Sequence, residues 1–82
     1  MSQSPGGSSL NEAIGRRIAE CRRRLGLTQG ELGDLIGYSQ QHVGAFEAGR
    51  RRVPISSIAA ISRALGVRPE ALLLDPHATP AR

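Results

Sequence analysis

The chain has 82 residues, 39% of them hydrophobic, and a formal net charge of +4. That length supports one small domain and leaves no room for a sizeable substrate pocket. Because it has no run of about 18 apolar residues and no charged-then-apolar leader, the sequence predicts neither a membrane span nor a secretion signal. Cys21 is the only cysteine, which excludes an internal disulfide and favours a cytoplasmic location.

The basic residues are all arginine, 11 of them against seven acids. A guanidinium group suits phosphate because its planar fork donates two hydrogen bonds and stays charged. Genomic base composition is an alternative reason for the absence of lysine, but it does not explain where the arginines cluster.

The first predicted helix follows a Ser-, Gly- and Pro-rich segment. Residues 1–8 should form a flexible N-terminal arm, and Ser9 with Glu12 is a capping box that opens a helix over about Leu10–Leu25. Apolar residues then recur at intervals of four, three and four, which predicts a buried face made of Ile14, Ile18, Cys21 and Leu25. Cys21 is therefore interpreted as a small core residue, and the folded domain is expected over residues 9–74.

Two short helices joined by a tight turn are predicted between Thr28 and Gly49. Thr28 and Glu31 form a capping box, and Gly37 ends the helix that they open. Its predicted buried face consists of Leu32, Leu35 and Ile36.

Ser39 caps the following helix, whose two sides differ in character. One side carries Val43, Phe46 and Glu47, and the other carries Gln41, Gly44, Ala45 and Ala48. Small residues allow that second side to press closely against a partner. The pair of helices is a helix-turn-helix pattern, and its second helix is the candidate reader of a DNA major groove.

The stretch from Ile14 to Leu73 resembles the helix-turn-helix domain of the lambda-repressor/Cro superfamily, of the xenobiotic-response-element type. The matching residues are Arg22, Gly26, Leu27, Thr28, Gln29, Glu31, Leu32, Gly37, Ser39, Glu47, Ala48, Gly49, Ala64, Leu65, Gly66 and Val67. The resemblance implies an all-α, compact five-helix domain that binds double-stranded DNA. It also pairs Arg22 with Glu47 in an ion pair that holds the reading helix at a fixed angle to helix 1.

Three residues depart from the family pattern. Gly33 stands where alanine is usual, and Ala48 replaces the usual asparagine. We expect both changes to loosen local packing. Pro54 lies one residue later than the proline that commonly precedes helix 4 in this family. The start of helix 4 is therefore defined only to within a residue or two.

The contacts with DNA are expected to divide between bases and phosphates. Gln40 and Gln41 are predicted to read base edges, because a glutamine amide bonds adenine N6 and N7 together. Gly44 or Ala45 is expected against the groove floor. The predicted phosphate contacts are Gln29, Ser39, Arg50, Arg51 and Arg52. A solubilising loop is the alternative interpretation of the three arginines.

The C-terminal part of the domain is predicted to mediate dimerisation. Helix 4 should run over about Ile55–Leu65, and Pro69 should open helix 5. Three consecutive leucines spread over about 200° of a helix, so Leu72 is expected inward and Leu73 or Leu74 outward. The predicted homodimer surface consists of Val53, Ile55, Leu73 and Leu74. Residues 75–82 should form a loose tail.

The sequence shows no pattern of an enzyme. His42 and His77 lie on different elements without a ligand-spaced cluster, so no metal site is expected. The sequence contains no serine or cysteine within a nucleophile motif and no glycine-rich phosphate-binding loop. We accordingly predict no catalytic residue, no cofactor and no small-molecule effector.

Three functions compete. The leading hypothesis is a homodimeric transcriptional regulator that binds an inverted-repeat operator, like phage repressors or the controller proteins of restriction–modification systems. The second is the antitoxin of a toxin–antitoxin pair, which co-purification of a toxin would favour, although residues 75–82 are few for a toxin-wrapping tail. RNA binding is disfavoured, because Tyr38 and Phe46 are the only aromatic residues and Phe46 is expected in the core.

Overall fold

The computed structural model describes the backbone of residues 6–74 and the side chains from residue 10 onward. Every regular element in these residues is an α-helix. They are α1 (Gly6–Arg24), α2 (Gln29–Ile36), α3 (Gln40–Ala48), α4 (Ile55–Leu65) and α5 (Pro69–Leu73). The predicted five-helix, all-α architecture is confirmed. Residues 1–5 of the expected arm and the whole expected tail, 75–82, lie outside the described residues.

Side chains cap the helices of the central motif as the sequence predicts. The Thr28 hydroxyl accepts from the Glu31 N–H at 3.0 Å, and the Glu31 carboxylate accepts from the Thr28 N–H at 2.8 Å. The Ser39 hydroxyl accepts from the His42 N–H at 3.1 Å and so opens α3. Glycines in the left-handed conformation follow α2, α3 and α4, at Gly37, Gly49 and Gly66.

The start of α1 differs from the prediction. The helix begins at Gly6 and runs through Ser9, so Ser9 does not cap it, and residues 6–8 are helical rather than part of an arm. Glycine and serine lower helix propensity without preventing a helix. A capping pattern therefore marks a possible start, and the backbone can continue past it.

One apolar core joins all five helices. It consists of Ile14, Ile18, Leu32, Val43, Phe46, Val53, Ile58, Ile61, Leu65 and Leu72. Cys21 packs against this core, as predicted. Two leucines predicted to be buried are exposed, Leu25 to 54% and Leu35 to 61%. Leu25 lies beyond the end of α1, and Leu35 flanks the side of α2 that Leu32 and Ile36 turn toward the core.

Helix α3 lies close against α1 because one position of α1 carries no side chain. A Cβ atom at Gly15 would overlap the carbonyl oxygens of Phe46 and Glu47. The motif is also tied to the C-terminal helices, since the Tyr38 and Ser57 hydroxyl groups lie 2.6 Å apart. These contacts hold α3 on the rest of the domain and leave its opposite side uncovered.

Candidate nucleic-acid interface

Two backbone hydrogen bonds of the turn between α2 and α3 share one carbonyl group as their acceptor. The Gly33 oxygen accepts from the N–H groups of Gly37 and Tyr38, at 2.8 and 2.9 Å. A Cβ atom at Gly33 would overlap the Tyr38 carbonyl oxygen. The expectation that glycine loosens the packing here is therefore wrong, because its missing side chain is what lets the turn approach α2.

The predicted ion pair between Arg22 and Glu47 is present and bidentate. Arg22 Nε and Nη2 donate to the two carboxylate oxygens at 2.6 and 3.0 Å, and Nη1 donates to the Leu27 carbonyl at 2.7 Å. The two side chains are 10% and 7% exposed. The hydrogen bonding to Glu47 raises the pKa of Arg22 against the opposing effect of burial. This pair links the C-terminal turn of α1 to α3.

Gln29 joins the same network, which the sequence did not predict. Its Nε2 donates to Glu47 Oε1 at 3.0 Å, so one of its two amide hydrogens is engaged. The amide also lies over Gly44, where a Cβ atom would come 3.5 Å from Gln29 Oε1. Gln29 thus couples the first residue of α2 to α3, and one N–H remains for a ligand.

The outer side of α3 carries three exposed side chains near each other on the helical wheel. Gln40, Gln41 and Ala48 are exposed, and Gly44 between them is partly covered by Gln29. Both predicted base-reading glutamines are therefore accessible from outside. Ser39, the N-cap residue of α3, is exposed as well.

Ala45 does not belong to that outer side. It is 8% exposed and counts among the buried residues, so the prediction that it lies against a groove floor is wrong. The chain turns back after α3, and the Arg50 N–H donates to the Ala45 carbonyl at 3.0 Å. Ala48, three residues further along α3, stays exposed.

The three arginines after α3, here called the arginine loop (Arg50–Arg52), are all exposed. With part of α3 they surround an open pocket of about 460 Å³. Its lining residues are Tyr38, His42, Phe46, Arg50, Arg51, Arg52 and Pro54. No carboxylate is among these residues, so the pocket suits an anion.

Other arginines of α1 lie near α3 or bond to α5. Arg16 and Arg23 share a depression with Gln29 and Gly44, but Glu20 and Glu47 also line it, so the formal charges of this depression balance. Arg17 donates from Nη1 to the Leu72 carbonyl at 3.0 Å and so ties α1 to α5. The spacing of the arginines along α1 does not predict either of these positions, because both depend on how other helices pack against α1.

The sequence model of a family described as "Helix-turn-helix domain" matches residues 13–74, which is most of the chain. The chain belongs to this helix-turn-helix family. An uncharacterized HTH-type transcriptional regulator of Sinorhizobium fredii, y4dJ, is 34% identical over 71 residues, covering 87% of this chain and 92% of the relative. The protein is accordingly a helix-turn-helix transcriptional regulator.

Solved structures of such regulators share the fold. The restriction–modification controller protein C.AhdI from Aeromonas hydrophila superposes with a TM-score of 0.78 at 31% identity, covering 83% of this chain and 99% of its own. The P22 c2 repressor, solved in complex with a synthetic operator, gives a TM-score of 0.71 at 30% identity, covering 74% and 92%. The lambda-repressor-like fold is thereby confirmed.

This helix-turn-helix domain also carries an apolar groove on the side of α4 and α5. The groove has a volume of about 520 Å³, and Leu10, Val53, Ile55 and Leu73 are among its lining residues. Val53, one of the residues predicted at the dimer interface, lines this groove but is only 8% exposed and packs in the core. Ile55, Leu73 and Leu74 are exposed to 83%, 41% and 62%, as expected of surface residues.

Two further observations concern the described part of this regulator. Within residues 6–74 no group of three His, Cys, Asp or Glu side chains could hold a metal ion. No helix in the same residues is long and apolar enough to cross a bilayer.

Proposed function

We propose that the protein is a cytoplasmic, homodimeric transcriptional regulator that binds an inverted-repeat operator through α3. The observation that carries the proposal is the exposed first turn of α3, with Gln40 and Gln41, on a helix fixed from behind by the Arg22–Glu47 ion pair. The likeness to a controller protein and to a repressor solved with its operator supports the same function.

Sequence would be read by the two glutamines. A bidentate amide contact to adenine N6 and N7 discriminates by about 1–3 kcal/mol, so at least one A·T pair is expected under α3. Gly44 would allow α3 to approach the floor of the major groove closely. The exposed Ala48, rather than Ala45, would lie beside it against the groove floor.

Affinity and register would come from phosphate contacts. Arg50, Arg51 and Arg52 are exposed, so each can neutralise one phosphate. Ser39 accepts the α3 capping bond through its oxygen, which leaves the hydroxyl proton to donate. Gln29 keeps one amide hydrogen beside its bond to Glu47. These donors border α3, where backbone contacts would fix the helix in the groove.

A second copy of this chain would cover the apolar groove. Ile55 and Leu73 line it together with Leu10, which is 54% exposed, and the exposed Leu74 follows Leu73 in the chain. Large apolar side chains clustered on so small a domain favour self-association. A two-fold axis would place the same residues on both sides and set the reading helices about 34 Å apart, one turn of DNA.

Selection of bound sequences from random duplex DNA tests the operator, and sedimentation tests the dimer. We expect an inverted repeat whose affinity depends on half-site spacing. Leu73→Asp should shift the protein to monomer and remove that dependence, whereas Leu25→Asp, at an exposed leucine outside the groove, should change neither. A native monomer at micromolar concentration that binds one half-site as tightly as two contradicts the dimer.

A further inference from the structure

His42 connects the reading helix to the arginine loop. Arg51 Nε donates to His42 Nε2 at 3.1 Å. A guanidinium group has no acceptor, so Nε2 of the imidazole must be its unprotonated nitrogen and Nδ1 carries the ring proton. The bond therefore fixes both the tautomer of His42 and the direction of the Arg51 side chain.

The His42 ring is itself held in place by aromatic neighbours. Its centroid lies 4.6 Å from that of Tyr38 and 5.0 Å from that of Phe46. Phe46 is 1% exposed, and Tyr38 is anchored to Ser57 on α4 through their hydroxyl groups. The acceptor that receives Arg51 thus stands on the rigid part of the domain.

The bond leaves the phosphate-binding edge of Arg51 available. A guanidinium has five N–H donors, and engaging Nε–H leaves the four on Nη1 and Nη2, the pair of nitrogens that can grip a phosphate in bidentate fashion. Among the described residues, Arg50 and Arg52 have no side-chain hydrogen bond to hold them in a comparable way. Arg51 is the one member of the loop that α3 pre-orders.

We propose that His42 is a positioning residue that holds Arg51 with its Nη nitrogens directed to a DNA backbone phosphate in the pocket beside α3. The inference rests on the proposed function, in which the arginine loop contacts phosphates. Loss of the acceptor would return Arg51 to many rotamers, so ordering it would then cost part of the binding free energy. His42 would act through Arg51 and would not read a base.

A double-mutant cycle on the full chain tests this coupling. His42→Phe keeps a ring between Tyr38 and Phe46 but removes the acceptor, and it should weaken binding to selected and random DNA alike by about three- to tenfold. It should cause no further loss in an Arg51→Ala background. In an Arg52→Ala background the two losses should multiply. His42→Gln, whose side-chain oxygen can still accept from Arg51, should restore most of the affinity.

The salt dependence gives a readout that a structural role would not move. If Arg51 loses its phosphate, the slope of log K against log salt should fall by up to about 0.9 in His42→Phe and recover in His42→Gln. The inference is overturned if His42→Phe lowers the DNA affinity equally in the wild-type and Arg51→Ala backgrounds. It is also overturned if His42→Phe changes the base preference. If Arg51→Ala binds DNA with the same affinity and the same salt dependence as wild type, the phosphate-binding role of Arg51 in the proposed function is overturned as well.

Discussion

The two flanks of α3 use polar side chains in opposite ways. On the flank toward α1 and α2, the Glu47 carboxylate receives three hydrogen bonds from Arg22 and Gln29, and the Arg22 and Glu47 side chains are nearly buried. On the flank toward the arginine loop, His42 receives one hydrogen bond from the exposed Arg51, beside an open pocket without carboxylates.

The difference separates residues that place the helix from residues that remain available to a ligand. A buried charge must keep its partner, because a stranded carboxylate inside the domain is costly to desolvate. An exposed hydrogen bond contributes little to folding, and a guanidinium group that makes one keeps further N–H donors for a phosphate. We therefore expect substitutions on the first flank to change the free energy of unfolding, and substitutions on the second to change DNA binding.

The largest expected effect is on the buried flank. Arg22→Met removes the partner of Glu47 and should lower the free energy of unfolding by about 3–5 kcal/mol. Denaturant titration followed by circular dichroism measures it. Arg24→Met, at an exposed position of the same helix, is the matched control and should stay within about 0.5 kcal/mol of wild type. A loss below about 1 kcal/mol for Arg22→Met would show that the pair does not fix α3.

A smaller effect is expected where the turn meets α2. Gly33→Ala should lower the free energy of unfolding by about 1–3 kcal/mol, because the added Cβ atom overlaps the Tyr38 carbonyl oxygen. Gly30→Ala, in the same helix with only ordinary contacts around the new atom, should raise it by about 0.5–1 kcal/mol. Thermal unfolding of both variants measures these changes in stability. An equal increase in the stability of the two variants would mean that the turn can shift to accommodate the added Cβ atom.

The smallest effect on folding is expected from the arginine loop. Replacing Arg50, Arg51 or Arg52 singly by alanine should change the free energy of unfolding by no more than about 0.5 kcal/mol. Each true phosphate contact should reduce the slope of log K against log salt by about 0.9, on selected and random DNA alike. Fluorescence anisotropy at several salt concentrations measures the slope. Unchanged slopes in all three variants would identify the loop as solvated surface.

Local patterns predicted the helices well, and distant packing accounts for most of the errors. The Thr28–Glu31 capping box, the Ser39 cap and the inward position of Leu72 follow from spacing within one helix. Burial at a helix flank or in a loop depends instead on what packs there, as Ala45 on α3 and Val53 before α4 show. No pattern within α2 or α3 reveals that Gln29 joins Glu47 or that His42 receives Arg51, since both bonds join separate segments.

The claim that α3 reads DNA sequence while the arginine loop only positions it is tested most directly by one comparison. Gln41→Ala and Arg50→Ala should each be titrated against the selected operator and against random DNA. For Gln41→Ala we predict a loss of about 1–3 kcal/mol at one base pair of the operator and little change on random DNA. Arg50→Ala should weaken both equally. Equal losses on the two DNAs for Gln41→Ala would contradict the assignment of α3 as the reading helix.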